Sequence, residues 1–288
     1  MRKHYQRASK AWLLAILLLL AAVAAAQTPA EALLGHYQSL TSQLEHNQFG
    51  QPLVLASTQT DKELKGEIYA VVDHPFSEFK AGVSDPGNWC DILILHLNIK
   101  YCHQGTKADQ LVVFIGRKFD QPLSDAHELD FAWHTLAGDD GYSHVSLVAA
   151  NGPLGTHDYR INLESAPLDA GHTFVHLSYA YGYGLTAKLA LQTYLNTLGS
   201  DKVGFTTVDG VPVGGIRGLV ERNTIRYYFA IESWLSAPQP EGRMRNWFTA
   251  TERYPRQLHE MEADEYITMK RNEYRRQQKP LDTHAAAS

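Results

Sequence analysis

Apolar and polar positions alternate with period two in several stretches of this chain, and repeat at helical spacing in others. Glu128 to Leu136 is the clearest strand: Leu129, Phe131 and Trp133 face one way, while Glu128, Asp130 and His134 face the other. Thr173 to Tyr183 puts Thr173, Val175, Leu177, Tyr179, Tyr181 and Tyr183 on one face, and reads as the longest strand. Tyr159 to Leu163 alternates as well, with Tyr159, Ile161 and Leu163 opposite Arg160 and Asn162. Glu67 to Asp73, Leu95 to Cys102, Leu111 to Phe119 and Ser143 to Ala150 complete the extended set. Turn residues separate them, notably Gly138-Asp139-Asp140-Gly141 and Asn151-Gly152-Pro153. Successive strands joined by short turns predict an antiparallel meander.

Helices are predicted at both ends and inside this series. Pro29 to Leu44 carries Leu33, Leu34, Tyr37, Leu40 and Leu44 on one side and should pack on the outside of the domain, with a short strand, Leu53 to Ser57, after it. Phe76 to Val83 and Asp85 to Leu93 are short helices, the second started by Asp85 as N-cap with Pro86 at its first position. Leu185 to Leu198 reads as a helix ended by Gly199, and Val203 to Val213 as a hairpin turning at Asp209-Gly210. Gly215 to Leu235 is the strongest later helix, with Ile216, Leu219, Val220, Tyr227, Ala230, Ile231 and Trp234 as a broad apolar stripe. Met244 to Thr251 and Glu262 to Gln277 follow.

The order strand, two short helices, strand meander and long helix resembles the opening and closing of the START-like and polyketide-cyclase superfamily. Pro75 after the first strand and Asp85-Pro86-Gly87-Asn88-Trp89 at the second helix carry that resemblance, which covers about Leu64 to Tyr183 plus the later helix. It implies an α+β fold in which a curled antiparallel sheet grips the Gly215 to Leu235 helix, with a cavity for a hydrophobic small molecule or lipid between them. The chain then divides into residues 1–26, a leader at 27–60, a helix-grip domain at 61–236 and a C-terminal extension at 237–288. The 185–213 segment is an insertion relative to the family, and with the extension it could fill or lid the cavity.

The first residues change the picture of where the protein works. Arg2, Lys3, Arg7 and Lys10 precede an apolar run, Ala11 to Val23, which ends in Ala24-Ala25-Ala26. This is the layout of a secretory signal peptide cleaved near Ala26; the alternative is an uncleaved anchor. Cleavage removes four basic side chains, taking the formal charge from −5 to −9. Such a chain is a poor partner for nucleic acid. In an oxidising compartment the two cysteines, Cys90 and Cys102, read as a disulfide, with two separate buried thiols as the alternative.

Motifs of known chemistry are missing: no Gly-x-Ser-x-Gly, His-Glu-x-x-His or phosphate-cradling loop occurs, and Gly182 with Gly184 is a lone pair at a strand end. No cofactor and no metal are expected. His172 and His176 would stand about 13 Å apart along a strand, too far to share an ion, on its wetter face. Glu128 and Asp130 should face solvent. On the long helix Arg222 and Arg226 share a side, where like charges repel unless an acid or an anionic head group offsets them. Asn223 falls within the apolar stripe and needs a partner. The candidate ligand-binding residues are therefore Phe131, Trp133, Arg160, Tyr179, Tyr181, Arg222, Asn223, Arg226 and Tyr227. Two other readings remain: a cyclase- or hydrolase-like enzyme using Arg160, Glu221 or Arg222 in the same pocket, and an envelope assembly partner docking through Met244 to Tyr274.

Overall fold

A computed structural model describes residues 27–185, 188–189 and 202–279. The signal-like segment 1–26 and most of the expected Leu185 to Leu198 helix lie outside the described residues. Among the described residues no helix is long and apolar enough to cross a membrane.

The leader helix α1 (Pro29–Glu45) is started by a capping box. Thr28 Oγ1 accepts from the Glu31 amide at 3.2 Å, and the Glu31 carboxylate accepts from the Thr28 amide at 2.8 Å. Eight antiparallel strands then form one sheet: β1 (Leu53–Gln59), β2 (Glu63–Val72), β3 (Ile99–Gln104), β4 (Gln110–Ile115), β5 (His127–Gly138), β6 (Ser143–Asn151), β7 (Thr156–Pro167) and β8 (Thr173–Tyr183). Their order is β1-β2-β8-β7-β6-β5-β4-β3. The meander β3 to β8 is thus closed by β2, with Val72 opposite Thr173 and Leu64 opposite Tyr181. β1 pairs along the whole of β2, so the end of the leader belongs to the sheet. The longest strands are β5 and β7, with 12 residues each against 11 in β8.

Between β2 and β3 lie α2 (Phe76–Val83) and α3 (Pro86–Leu93). Asp85 caps α3 by accepting from the Gly87 amide at 2.8 Å. A disulfide joins Cys90 of α3 to Cys102 of β3, with 5.2 Å between the Cα atoms. Leu95 to Asn98, expected as strand, is a turn, and β3 starts only at Ile99. β4 likewise stops at Ile115, short of the expected Phe119.

After β8, a small hairpin pairs β9 (Thr207–Val208) with β10 (Val211–Pro212) across Asp209 and Gly210, both at positive φ, 51° and 78°. The chain continues into α4 (Gly215–Ser236), α5 (Pro240–Glu252), α6 (Pro255–Leu258) and α7 (Ala263–Gln277). Helix α4 lies across β1, β2 and β8 on the inner face of the sheet. It comes so close to β2 that a Cβ on Gly66 would stand 2.1 Å from Thr224 Oγ1, so that strand position has no room for a side chain. The sheet's inner face supplies Ile68, Leu129, Phe131, Trp133, Leu147, Ile161 and Leu177 to one continuous core. The expected stripe on α4 is buried apart from half-buried Trp234, but so are Glu221, Arg222 and Arg226, because Ser57 of β1, the 203–206 segment, α5 and Leu258 meet its remaining side.

The outer face is covered in part by α1, whose Leu33 and Leu44 form a second small core with Tyr142, Ala166 and Phe174. Beside this core His176 stacks on Tyr69 at 4.2 Å and bridges Glu164 (2.8 Å) and Glu67 (3.1 Å). Glu67 also meets Lys65 at 2.7 Å, and Glu164 accepts from the Tyr142 hydroxyl. Burial alone would depress the His176 imidazole, but the two carboxylates outweigh it and hold it above its ordinary value. Glu67 is pulled down to about 2, chiefly by the His176 hydrogen bond. Glu164 reaches about 2 despite burial, through His176 and Tyr142. A raised histidine stabilises the fold below its unfolded value and loses that contribution as pH rises through its folded value; depressed carboxylates do so above theirs and lose it as pH falls. The network should therefore contribute most between about pH 4.5 and 6.5. Urea midpoints of the native protein and His176→Gln should differ most in that window and converge toward pH 9. An equal gap at every pH would mean that His176 acts by packing alone.

Candidate functional site: a cavity between the sheet and the long helix

Side chains of β7, β8 and α4 enclose a cavity of about 690 Å³. Tyr159, Tyr179 and Tyr181 form its sheet wall, and Leu219, Asn223 and Tyr227 its helix wall. Asn223 and Tyr227 are one helical turn apart, which puts both on the side of α4 that meets this space. His96 and Asn98, from the turn before β3, close one part, and Lys118 with Glu260 another. Phe119 and Leu154 mark the opening: they line the cavity yet are 46% and 60% exposed.

Five rings run along the wall in sequence. His96 stacks on Tyr227 at 4.5 Å, Tyr227 meets Tyr179 at 5.1 Å, Tyr179 meets Tyr181 at 5.5 Å, and Tyr181 stacks on Tyr159 at 5.1 Å. The Tyr159 hydroxyl is paired with Thr156 Oγ1 at 2.9 Å. Those of Tyr179, Tyr181 and Tyr227 have no hydrogen-bond partner among the described residues. Burial pushes all three phenols above their ordinary range, so they stay protonated, each hydroxyl able to donate or to accept.

His96 has a defined tautomer. Its Nδ1 accepts from the Asn98 amide at 3.1 Å, which leaves the proton on Nε2, and that nitrogen is buried without a partner. Burial, reinforced by Arg226, Lys270, Lys118 and Lys100, holds the ring well below its ordinary value and therefore neutral. The turn that carries it is fixed from behind. Lys270 of α7 donates to the carbonyls of His96 (2.6 Å) and Ile99 (2.9 Å), Lys100 to that of Leu97 (2.9 Å), and Tyr266 to that of Leu95 (2.8 Å). Glu273 holds both lysines, at 3.0 and 2.7 Å, and all three side chains are essentially without solvent.

The ionic corner of the cavity is a triad. Glu260 accepts from Lys118 at 2.5 Å and from Arg226 at 2.7 Å. Burial disfavours its carboxylate, but Arg226 and Lys118 more than offset this and leave it lowered. Lys118 is pushed down to about 8, mainly by burial and then by Arg226.

Four of the nine sequence-predicted site residues, Tyr179, Tyr181, Asn223 and Tyr227, therefore line the cavity, and five do not. Phe131 and Trp133 are in the core, but the cavity meets β5 only at its first residue, His127. Arg160 projects from the other face of β7 and pairs with Glu63. Arg222 and Arg226 each sit one residue before a cavity residue, about 100° around the helix. Arg222 donates to the Val203 carbonyl at 3.2 Å, and Arg226 to that of Leu258 at 3.1 Å as well as to Glu260. Both are buried, offset by carbonyls and an acid. Glu221 is also structural: it accepts from the Ser57 hydroxyl (2.5 Å) and from the amides of Phe205 (2.6 Å) and Thr206 (3.0 Å). Sequence reasoning missed His96, Lys118 and Glu260. His96 was hidden in an apolar run, and Lys118 and Glu260 meet only through the tertiary fold.

No family model and no curated protein matches the chain. Solved structures do. Human StAR-related lipid transfer protein 5 is 10% identical over 73% of this chain and 98% of that one, with a TM-score of 0.36. A START superfamily protein from Mycobacterium smegmatis is 12% identical over 48% and 95%, with a TM-score of 0.31. Norcoclaurine synthase from Thalictrum flavum, in complex with dopamine and hydroxybenzaldehyde, is 12% identical over 50% and 88%, with a TM-score of 0.34. The chain has a helix-grip fold. Its own strand order and the seat of α4 establish this, and the similarity to START-like proteins extends to fold and no further. The envelope-partner reading looked to apolar surface on the C-terminal helices. Met244, Trp247, Tyr266 and Met269 are instead turned into the core.

Proposed function

We propose that this is an exported protein of the periplasm that binds a hydrophobic small molecule or lipid between its sheet and α4. The observation that carries the proposal is the 690 Å³ cavity with its aromatic wall and its few unpaired polar groups, the usual composition of a small-molecule site. Export is supported by the basic, apolar and small-residue order of residues 1–26 and by the Cys90–Cys102 disulfide, which suits an oxidising compartment. Native mass spectrometry of protein purified from the envelope, followed by solvent extraction, should release a bound apolar compound. A protein that is empty on purification and takes up no apolar probe would refute the binding role. N-terminal sequencing of the same material should begin close to Gln27. A chain still starting at Met1 would replace cleavage by an anchor.

One observation favours an enzyme using the same pocket. Lys118, with its value near 8, sits beside Glu260 inside an apolar cavity, where an amine can serve as acid or base near neutral pH. Recovery of a chemically altered probe after incubation would support that role, and recovery of an unaltered one would support carriage.

A further inference from the structure

The sheet has two edge strands, β1 and β3, and they end differently. Along β3, helix α7 packs against the strand, and its Lys270 takes the carbonyl of Ile99 at 2.9 Å. Along β1, no backbone of the described residues pairs with the edge. Which groups point outward there follows from the ladder. The Val71 amide donates to the Pro52 carbonyl at 3.0 Å, and the Thr60 amide to that of Glu63 at 2.9 Å. Between them the register runs unbroken from Leu53 opposite Ala70 to Gln59 opposite Leu64. Hydrogen-bonded pairs alternate in an antiparallel ladder. Val54, Ala56 and Thr58 therefore direct their backbone groups to β2, and Leu53, Leu55, Ser57 and Gln59 turn theirs away from the sheet. Two of the outward groups are occupied: the Leu53 amide donates to the Gln51 carbonyl at 2.7 Å, and the Ser57 carbonyl accepts from Arg217 Nη2 at 3.1 Å. The amides of Leu55, Ser57 and Gln59 and the carbonyls of Leu53, Leu55 and Gln59 have no partner among the described residues.

Edge strands are ordinarily blunted by a charge, a proline or a bulge. The seven residues of β1, Leu-Val-Leu-Ala-Ser-Thr-Gln, have none of these, and Ala56, Thr58 and Gln59 are exposed. Beside this edge stands a cation. Half-buried Arg217 donates to Ser57 Oγ through Nε at 2.9 Å as well as to its carbonyl, and meets no carboxylate among the described residues. Glu221, one turn on, is committed to the Ser57 hydroxyl and to the amides of Phe205 and Thr206. A second copy of β1 would bring no acid to Arg217, and seven residues of strand edge bury well under the ~1,200 Å² of a standard interface.

We infer that β1 is a docking edge for an extended, antiparallel segment of a partner protein that carries an acidic side chain. Directly opposed residues of paired strands point to the same face. Ser57 points inward, to Glu221 of α4, and Leu55 packs on the core. The partner residue opposite Ser57 is thus Asp or Glu, beside Arg217, and the residue two places later, opposite Leu55, is apolar. Backbone hydrogen bonds supply the affinity, and these two side chains supply the choice of partner.

The probe is a fluorescein-labelled, end-capped hexapeptide, Thr-Thr-Glu-Thr-Val-Thr, titrated into the native protein and followed by anisotropy. Its Glu falls opposite Ser57 and its Val opposite Leu55. Gln in place of that Glu should weaken binding about fivefold, as expected of one charge-assisted pair at a half-buried site. The Arg217→Gln protein should bind the two peptides alike. N-methylation of the Glu, whose amide faces β1, should abolish binding, and N-methylation of the next Thr, whose amide faces away, should leave it unchanged. The peptide comparisons use only the native protein, so they stand whether or not a variant folds. Equal binding of the Glu and Gln peptides, equal effects of the two N-methyl groups, or no binding at about 1 mM peptide would overturn the inference. So would a dimer in sedimentation that the peptide leaves intact and Gln59→Pro dissolves. That substitution removes an outward amide without touching the ladder to β2, and its effect would assign the edge to a second copy.

Discussion

Glu273→Ala should destabilise the protein by about 3–5 kcal/mol, the usual cost of removing one partner from a fully buried ionic network. Glu273 is the carboxylate between Lys100 and Lys270, at 3.0 and 2.7 Å, where neither lysine reaches water. Its loss leaves two ammonium groups in one dry space. Burial already depresses both lysines, Lys270 to about 8; without Glu273 the charge that still opposes this pressure is that of Asp120, and it acts on Lys100. The triple change Lys100→Met, Lys270→Met, Glu273→Leu should recover much of the loss, because apolar groups of similar size often replace a buried ion network without penalty. Urea denaturation of the three proteins measures both statements. A Glu273→Ala protein within 1 kcal/mol of native would mean that water reaches the lysines. Binding should also fall, since the same lysines hold the carbonyls of the turn that presents His96.

Tyr227→Ala should cost about 3 kcal/mol, the low end of the range for a core aromatic, and should weaken ligand binding by more than tenfold. The ring is only 8% exposed and lies between His96 and Tyr179, but it also lines the cavity, so part of its surface has no protein neighbour to lose. Tyr227→Phe should keep nearly all of the stability. Unfolding midpoints and the yield of co-purified ligand separate the two roles. Full retention of both in the alanine variant would place Tyr227 outside the site.

Local rules made much of the fold readable before any coordinates. The alternation through Leu129, Phe131 and Trp133, the Asp85-Pro86 helix start and the stripe on Gly215 to Leu235 all depend on neighbours in sequence, and all lead to the corresponding elements. The site was less readable, because its parts are set by distant segments. Leu95 to Asn98 has an apolar, strand-like composition, yet its carbonyls are occupied by Lys100, Lys270 and Tyr266, which makes a turn the better state. Arg222 and Arg226 looked like ligand groups because two cations four apart need compensation. The compensation comes from carbonyls of Val203 and Leu258 and from Glu260, and no local pattern announces those partners. Phe131 and Trp133 shared a face with the cavity residues in principle; only the path of α4 across β1, β2 and β8 decides where the open space falls.

The pairing of β2 with β8 has a consequence for the order of assembly. β2 leaves the ribosome early but acquires its second neighbour only when Thr173 to Tyr183 has been made, and α4, which lies against both, comes later still. Until then β2 can pair only with β1, and its inward row from Leu64 to Val72 has nothing to cover it. Contacts so far apart in the chain form slowly. A nascent chain of this topology cannot close its sheet until β8 has been made, and the cavity between the sheet and α4 comes into being only after the segment that carries Glu260 and Glu265 has docked.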